Sequence, residues 1–164
     1  MKTLLIIRHA KSSWADHSQS DFERPLNERG NKDAPKMAAR LVSKKIQIDA
    51  FISSTALRAK QTCEHFCTVY CADVDQIQWM DALYHASADT IHQVLAQIND
   101  KYQTVAVFCH NPGITDFVND LVEGVFIDDV PTCGIFAASA EIENWSDFLN
   151  AKKRFLFFDF PKQA

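Results

Sequence analysis

A chain of 164 residues, 47% hydrophobic and 23% charged, has the composition of a soluble globular protein and the length of one domain with a substantial core. Its net charge of -4 excludes a global attraction to nucleic acid or to an anionic membrane, so an anion site must arise from local clustering. Arg8, Lys11, Arg24, Arg58 and Lys60 are the candidates for that cluster. The apolar run before Arg8 is too short for a signal peptide or a membrane span, and no other run approaches membrane length. The expected location is the cytoplasm, with neither nucleic acid nor membrane as a partner.

The chain opens on its most informative stretch. Thr3 to Ile7 reads as a strand buried on both faces, ending abruptly in Arg8-His9-Ala10. In an open α/β sheet, ligands lie beyond the carboxyl ends of the strands, so Arg8 and His9 face whatever the protein handles. An arginine there offers a cationic fork, and a histidine offers a nucleophilic or proton-transferring imidazole. Residues 11 to 27 lack periodicity and read as a long functional loop, with Asp21, Arg24 and Pro25 within it. Lys11, Asp21 and Arg24 have no role assigned by spacing alone. Helix follows, with Asn27 capping an early turn, Asp33 capping a second start, and Pro35 in the first turn after it. Met37, Ala38, Leu41 and Val42 follow helical spacing along it.

Ile48 to Ser53 reads as a second strand, and Ser54 or Thr55 as the cap of the next helix, which carries Arg58 in its first turn. The free N–H groups of a helix start favour anions at that point. Val74 to Trp79 reads as a third strand, Asp81 to His85 as a loop, and Ser87 as the cap of a helix through Ile91, Val94, Leu95 and Ile98. Thr104 to Cys109 repeats the opening pattern, an apolar run followed by His110. Asn111 then fits an N-cap, with Pro112 at the first helical position. Cys133 to Ser139 and Arg154 to Phe160 are the last strands. Cys63, Cys67 and Cys71 recur every four residues, but helix positions eight apart lie about 12 Å apart, too far to share one metal ion. They read as buried free thiols, as do Cys109 and Cys133.

Strands alternate with helices throughout, which predicts a mainly parallel sheet covered by helices on both faces. Three strand-to-helix junctions then deliver Arg8-His9, Arg58 and His110 to the same edge. Two arginines and two histidines on one rim have the character of a phosphate site.

These residues carry a resemblance. Arg8-His9-Ala10, the run from Ser53 to Thr62, and His110-Asn111-Pro112-Gly113 resemble the histidine phosphatase superfamily, also called phosphoglycerate mutase-like. Arg8 to Trp14 together with Asp21-x-x-Arg24-Pro25-Leu26 looks most like its SixA-like phosphohistidine phosphatase branch. The resemblance spans essentially the whole chain, residues 1 to 164, as a single domain. It implies a three-layer α/β/α sandwich whose mainly parallel sheet includes one antiparallel strand. It makes His9 the nucleophile that accepts the phosphoryl group, and Arg8, Arg58 and His110 the residues that hold the phosphate oxygens. No metal or other cofactor is implied, the arginines supplying the positive charge.

Many relatives carry proline where this chain has Thr55. Family phosphomonoesterases also place a carboxylic acid in the loop after the third strand, where this chain reads Asp81-Ala82-Leu83-Tyr84-His85, with the acid's position nearest His85. Asp81 and His85 are the candidate proton donors. A site without a dedicated carboxylic acid fits a P–N bond better than a P–O bond, because imidazole leaves more readily than an alkoxide. The expected activity is a metal-independent phosphatase acting on a phosphohistidine-containing protein. A phosphatase for a small phosphorylated molecule is the alternative, and a phosphate-binding module without catalysis is the alternative of another class.

Overall fold

A computed structural model of the protein describes residues 1–163. Along them run β1 (Lys2–Arg8), α1 (Glu28–Ser43), β2 (Ala50–Ser53), α2 (Leu57–Val69), β3 (Gln78–Trp79), α3 (Ala88–Ala96), β4 (Thr104–Cys109), α4 (Gly113–Leu121), β5 (Ile135–Ala140) and β6 (Lys153–Asp159). The strands form one sheet in the order β3-β2-β4-β1-β5-β6. Neighbours from β3 to β1 are parallel, while β5 runs antiparallel to both β1 and β6. The mainly parallel sheet and its one antiparallel strand match the expectation.

The alternation of side chains along β1 divides the core in two. Leu4 and Ile6 enter one cluster with Ile91, Ile114 and Phe117, so α3 and α4 cover that face. Leu5 and Ile7 enter the other with Met37, Leu41 and Phe66, beneath α1 and α2. The result is the three-layer α/β/α sandwich. Truncating Ile6 or Ile7 to alanine removes contacts in one core layer and is expected to cost about 2–5 kcal/mol.

Several boundaries differ from those read in the sequence. The two starts at Asn27 and Asp33 are one helix: Asn27 caps it by accepting from Gly30 N–H at 2.8 Å, and Asp33 instead pairs with Arg29 at 3.4 Å. Pro35 lies inside α1. The third strand shrinks to Gln78–Trp79, because Val74–Gln76 turns as a 3₁₀ helix on the Asp73 side chain. Neither Ser54 nor Thr55 occupies the cap of α2; Ala56 does, without a side-chain bond. Pro112, not Asn111, precedes α4, and the Asn111 amide reaches Asp129 and the Val130 carbonyl instead. Cys63, Cys67, Cys109 and Cys133 are buried, but Cys71 falls beyond the end of α2 with φ 56° and is exposed.

Candidate active site

Strand register builds the floor of the site. Arg8 lies opposite Cys109 in the parallel β1–β4 pair, so His9 and His110 leave adjacent strands at the same level. The His9 N–H donates to the Cys109 carbonyl at 3.2 Å, and the two imidazole centres are 5.1 Å apart. Ser53 lies opposite Phe108, which brings Ser54 alongside. The Ser54 N–H donates to the Phe108 carbonyl at 3.0 Å, and its hydroxyl sits 2.8 Å from His110 Nε2. Arg58, in the first turn of α2, is 4% exposed. Thr62 ties these elements together, accepting from Ala10 N–H at 3.0 Å and donating to the Arg58 carbonyl at 2.8 Å.

One hydrogen bond fixes the state of His9. Its Nδ1 lies 2.7 Å from the Ala10 carbonyl, which only accepts, so Nδ1 carries the proton and Nε2 the lone pair. That lone pair accepts from Arg58 Nε at 3.3 Å. Burial lowers the His9 pKa to about 3; the Ala10 bond opposes the shift, and the charges of Arg58, Arg8 and Arg24 add to it. Burial likewise lowers His110 to about 2, helped by His9, Arg58 and His85. Both imidazoles are therefore neutral at physiological pH.

The opposite wall comes from the loop after β1. Its ends are pinned by a bridge between Ser12 and Leu26, by Ser13 N–H to the Pro25 carbonyl at 2.8 Å, and by Asn27 N–H to the Lys11 carbonyl at 3.0 Å. Gly30 permits this approach, since a Cβ there would lie 2.2 Å from the Lys11 carbonyl oxygen. The loop thereby folds Asp21 and Arg24 back over the site. Arg24 donates to the Ser12 hydroxyl and to Asp21 Oδ1 at 3.0 Å, with its guanidinium 3.7 Å above the Trp14 ring.

Asp21 is the hub of this wall. Its backbone carbonyl and Oδ2 accept from Arg58 Nη1 and Nη2 at 2.6 and 3.0 Å, and Oδ2 also accepts from the Tyr84 hydroxyl at 2.7 Å. His85 Nε2 lies 3.7 Å from the same oxygen. Burial pushes the Asp21 pKa up, but the bonds from Tyr84, Arg24 and Arg58 outweigh it and hold the carboxyl well below its usual range. Burial also lowers the pKa of Arg8, against the pull of Asp129; Arg8 Nη1 donates to the Val130 carbonyl at 2.9 Å.

Arg8, His9, Arg58 and His110 all line one cavity of about 320 Å³. The convergence expected from the three junctions is present in the fold. Lys11, Asp21, Arg24 and His85 line it as well. Lys60 does not, its ammonium lying 5.0 Å over the Trp79 ring. Asp81 is also outside the lining, and its carboxylate accepts from the Thr55 hydroxyl at 2.6 Å. Sequence reasoning missed Tyr84, for which nothing in the sequence provides a signal. It also read Ser54 as a cap rather than as the partner of His110. Among the described residues, no group of three or more His, Cys, Asp or Glu is placed to hold a metal ion, and no helix is long and apolar enough to cross a membrane.

The sequence pattern of the histidine phosphatase superfamily (branch 1) matches residues 4–81. That match covers just under half of the chain and makes this stretch similar to the superfamily. The fold is shared with solved structures described as SixA phosphohistidine phosphatases. A protein of Agrobacterium tumefaciens assigned as phosphohistidine phosphatase SixA superposes with a TM-score of 0.82 at 25% identity, covering 98% of both chains. The protein histidine phosphatase SixA complexed with tungstate gives 0.81 at 22% identity, covering 97% of both. An uncharacterized protein of Mycobacterium tuberculosis is 32% identical over 107 residues, 65% of this chain and 63% of that relative, so the match spans less than two thirds of the relative's length.

Proposed function

We propose that this protein is a phosphatase that passes a phosphoryl group through His9, and that its substrate is phosphohistidine on a protein partner. The observation that carries this reading is the state of His9: buried, neutral, with Nδ1 committed to Ala10 and Nε2 bearing a lone pair in a cavity walled by guanidinium groups. An imidazole so held is a nucleophile without prior deprotonation. Arg8, Arg58 and His110 bind the three phosphate oxygens and balance the charge of the transition state. Arg8 Nε and His110 Nδ1 are buried without a protein partner among the described residues, so these two groups retain unused hydrogen-bonding capacity. Phosphorus arriving at Nε2 takes the place of the Arg58 Nε–H, which turns to the phosphate.

The substrate class follows from the acids. Asp21 is held ionised by its cationic partners, and Asp81 is committed to Thr55, so neither is a ready carboxylic acid donor. An alkoxide is a poor leaving group, water itself ionising only near pKa ~15.7. Imidazole, with a conjugate acid near pKa ~6.5, departs far more easily. Exposed Trp14 and Phe22 stand at the rim, Phe22 edge-on to Tyr84 at 5.0 Å, and suit contact with a protein surface rather than enclosure of a metabolite. Comparing kcat/KM on a phosphohistidine protein with a panel of small phosphoesters tests this. Activity is expected to fall steeply from phosphohistidine and aryl phosphates to alkyl phosphates. A profile indifferent to the leaving group would favour a phosphorylated metabolite instead.

A further inference from the structure

We infer that Ser54 is a positioning residue that fixes the tautomer of His110, so that this imidazole meets the phosphoryl group as a hydrogen-bond donor through Nδ1. The inference rests on the cavity being a phosphate site, as proposed above, and adds a residue that acts through His110. Its basis is the accounting of hydrogen bonds at a hydroxyl cut off from water. Ser54 is fully buried, so its O–H proton must find an acceptor within the protein. The Ser54 oxygen accepts from the Ala56 N–H at 3.2 Å, and its other partner among the described residues is His110 Nε2 at 2.8 Å. The neighbouring Ser53 hydroxyl is turned to the Ser54 carbonyl at 2.9 Å and takes no part.

Two arrangements are open to this pair. With the proton on Nε2, the Ser54 oxygen would accept twice, its own proton would have no acceptor, and the Nδ1 lone pair would be set against phosphate oxygens. With the proton on Nδ1, Ser54 donates to Nε2, accepts from Ala56 and is satisfied on both sides. The Nδ1–H is then the one group left over, buried without a partner among the described residues on a ring that lines the cavity. An anionic phosphate oxygen completes it with a charge-assisted bond.

The contrast with His9 shows what the hydroxyl does. Both rings are buried, neutral and protonated on Nδ1. The Ala10 carbonyl takes the Nδ1–H of His9 and leaves its Nε2 lone pair for phosphorus. The Ser54 hydroxyl takes the Nε2 lone pair of His110 and leaves its Nδ1–H for oxygen. One tautomer thus serves as nucleophile on one strand and as donor on the next, according to whether the partner accepts or donates. Strand register sets the second choice, because Ser53 opposite Phe108 brings Ser54 beside His110.

The test uses the whole chain with ¹⁵N-labelled histidine, and inorganic phosphate as the ligand. Two-bond ¹H–¹⁵N spectra of the ligand-free protein, with the His110 signals assigned by their loss in His110→Asn, are expected to show the His110 proton on Nδ1. In Ser54→Ala an Nε2–H form is expected to appear at His110, while His9, held by Ala10, keeps its pattern. Phosphate affinity is expected to fall about 10-fold in Ser54→Ala. His110→Asn places an amide nitrogen where Nδ1 stands and leaves no atom at Nε2. Adding Ser54→Ala to it is therefore expected to change affinity by less than about twofold. A proton on Nε2 in the wild type, an unchanged His110 pattern in Ser54→Ala, or equal losses of affinity in both backgrounds would overturn the assignment and leave Ser54 a support for the start of α2. Wild-type protein that binds no phosphate would instead overturn the reading of the cavity, while the tautomer of His110 would still decide the role of Ser54.

Discussion

The two walls of the cavity are built on different principles. The wall of Arg8, His9, Ser54 and His110 hangs from the ends of three hydrogen-bonded strands, so its geometry follows from register, and His9, Ser54 and His110 are buried with the core. The wall of Asp21, Arg24, Tyr84 and His85 comes from two loops held by one carboxylate that takes bonds from three cationic or hydroxyl donors. Arg58 joins them, with Nε on His9 and both terminal nitrogens on Asp21. Loss of a strand-end residue should therefore abolish a chemical role while leaving the fold in place. Loss of a loop residue should loosen the geometry of Arg58 and appear as a graded effect.

The largest effect is expected at the strand-end wall. His9→Ala should lower kcat by at least about 10⁴-fold while inorganic phosphate still binds, because the guanidinium groups remain. Arg58→Ala removes a charge-assisted donor worth about 1.5–3 kcal/mol, so phosphate affinity should drop about 10- to 100-fold and kcat should fall with it. On the loop wall, Asp21→Asn should raise KM more than Tyr84→Phe does, since Tyr84 contributes a single neutral-donor bond of about 0.5–1.5 kcal/mol. Equal effects of the two would show that Asp21 does not position Arg58.

The two buried imidazoles also predict a pH dependence of stability. His9 and His110 have folded pKa values of about 3 and 2, below the ordinary ~6.5 of the unfolded chain, burial being the main cause in both. Below about pH 6.5 the unfolded state binds more protons than the folded one, so their contribution is fully present above that pH and declines as pH falls toward the folded values. Thermal unfolding should shift to lower temperature between about pH 7 and about pH 4, and His110→Gln should weaken that shift. The smallest effect is a null: exhaustive chelation should leave turnover unchanged, because Arg8, Arg24 and Arg58 supply the positive charge. Activity that is lost on chelation and regained with Mg²⁺, Mn²⁺ or Zn²⁺ would contradict that.

The same contrast explains what the sequence reveals. The strand-end wall is legible because its signals are local: apolar runs that stop at Arg8-His9 and at His110, and an arginine one turn into a helix. Parallel alternation then forces them to one edge, and the cavity brings the four together. The loop wall is legible only in part: Asp21, Arg24 and His85 stand out, but their contacts do not. Asp21 meets Tyr84 across 63 residues and Arg58 across 37, and no periodicity encodes such pairings. Lys60 shows the converse. It shares the first turns of α2 with Arg58, yet two residues turn it toward Trp79 and away from the cavity. Helix caps misled where a side chain had a better partner, as with Ser54 on His110 and Asn111 on the 129–130 segment. The third strand is shorter than its apolar pattern predicts because Val74 lies on a 3₁₀ turn and Ile77 only follows that turn in extended conformation, ahead of Gln78–Trp79.

The central claim is that His9 takes the phosphoryl group, and trapping tests it most directly. Protein quenched during turnover should carry one phosphoryl group on His9, labile in acid and stable in base, and His9→Ala should carry none. Substantial turnover persisting in His9→Ala, with no phosphorylated intermediate in the wild type, would mean that water attacks the substrate directly and that His9 only binds phosphate.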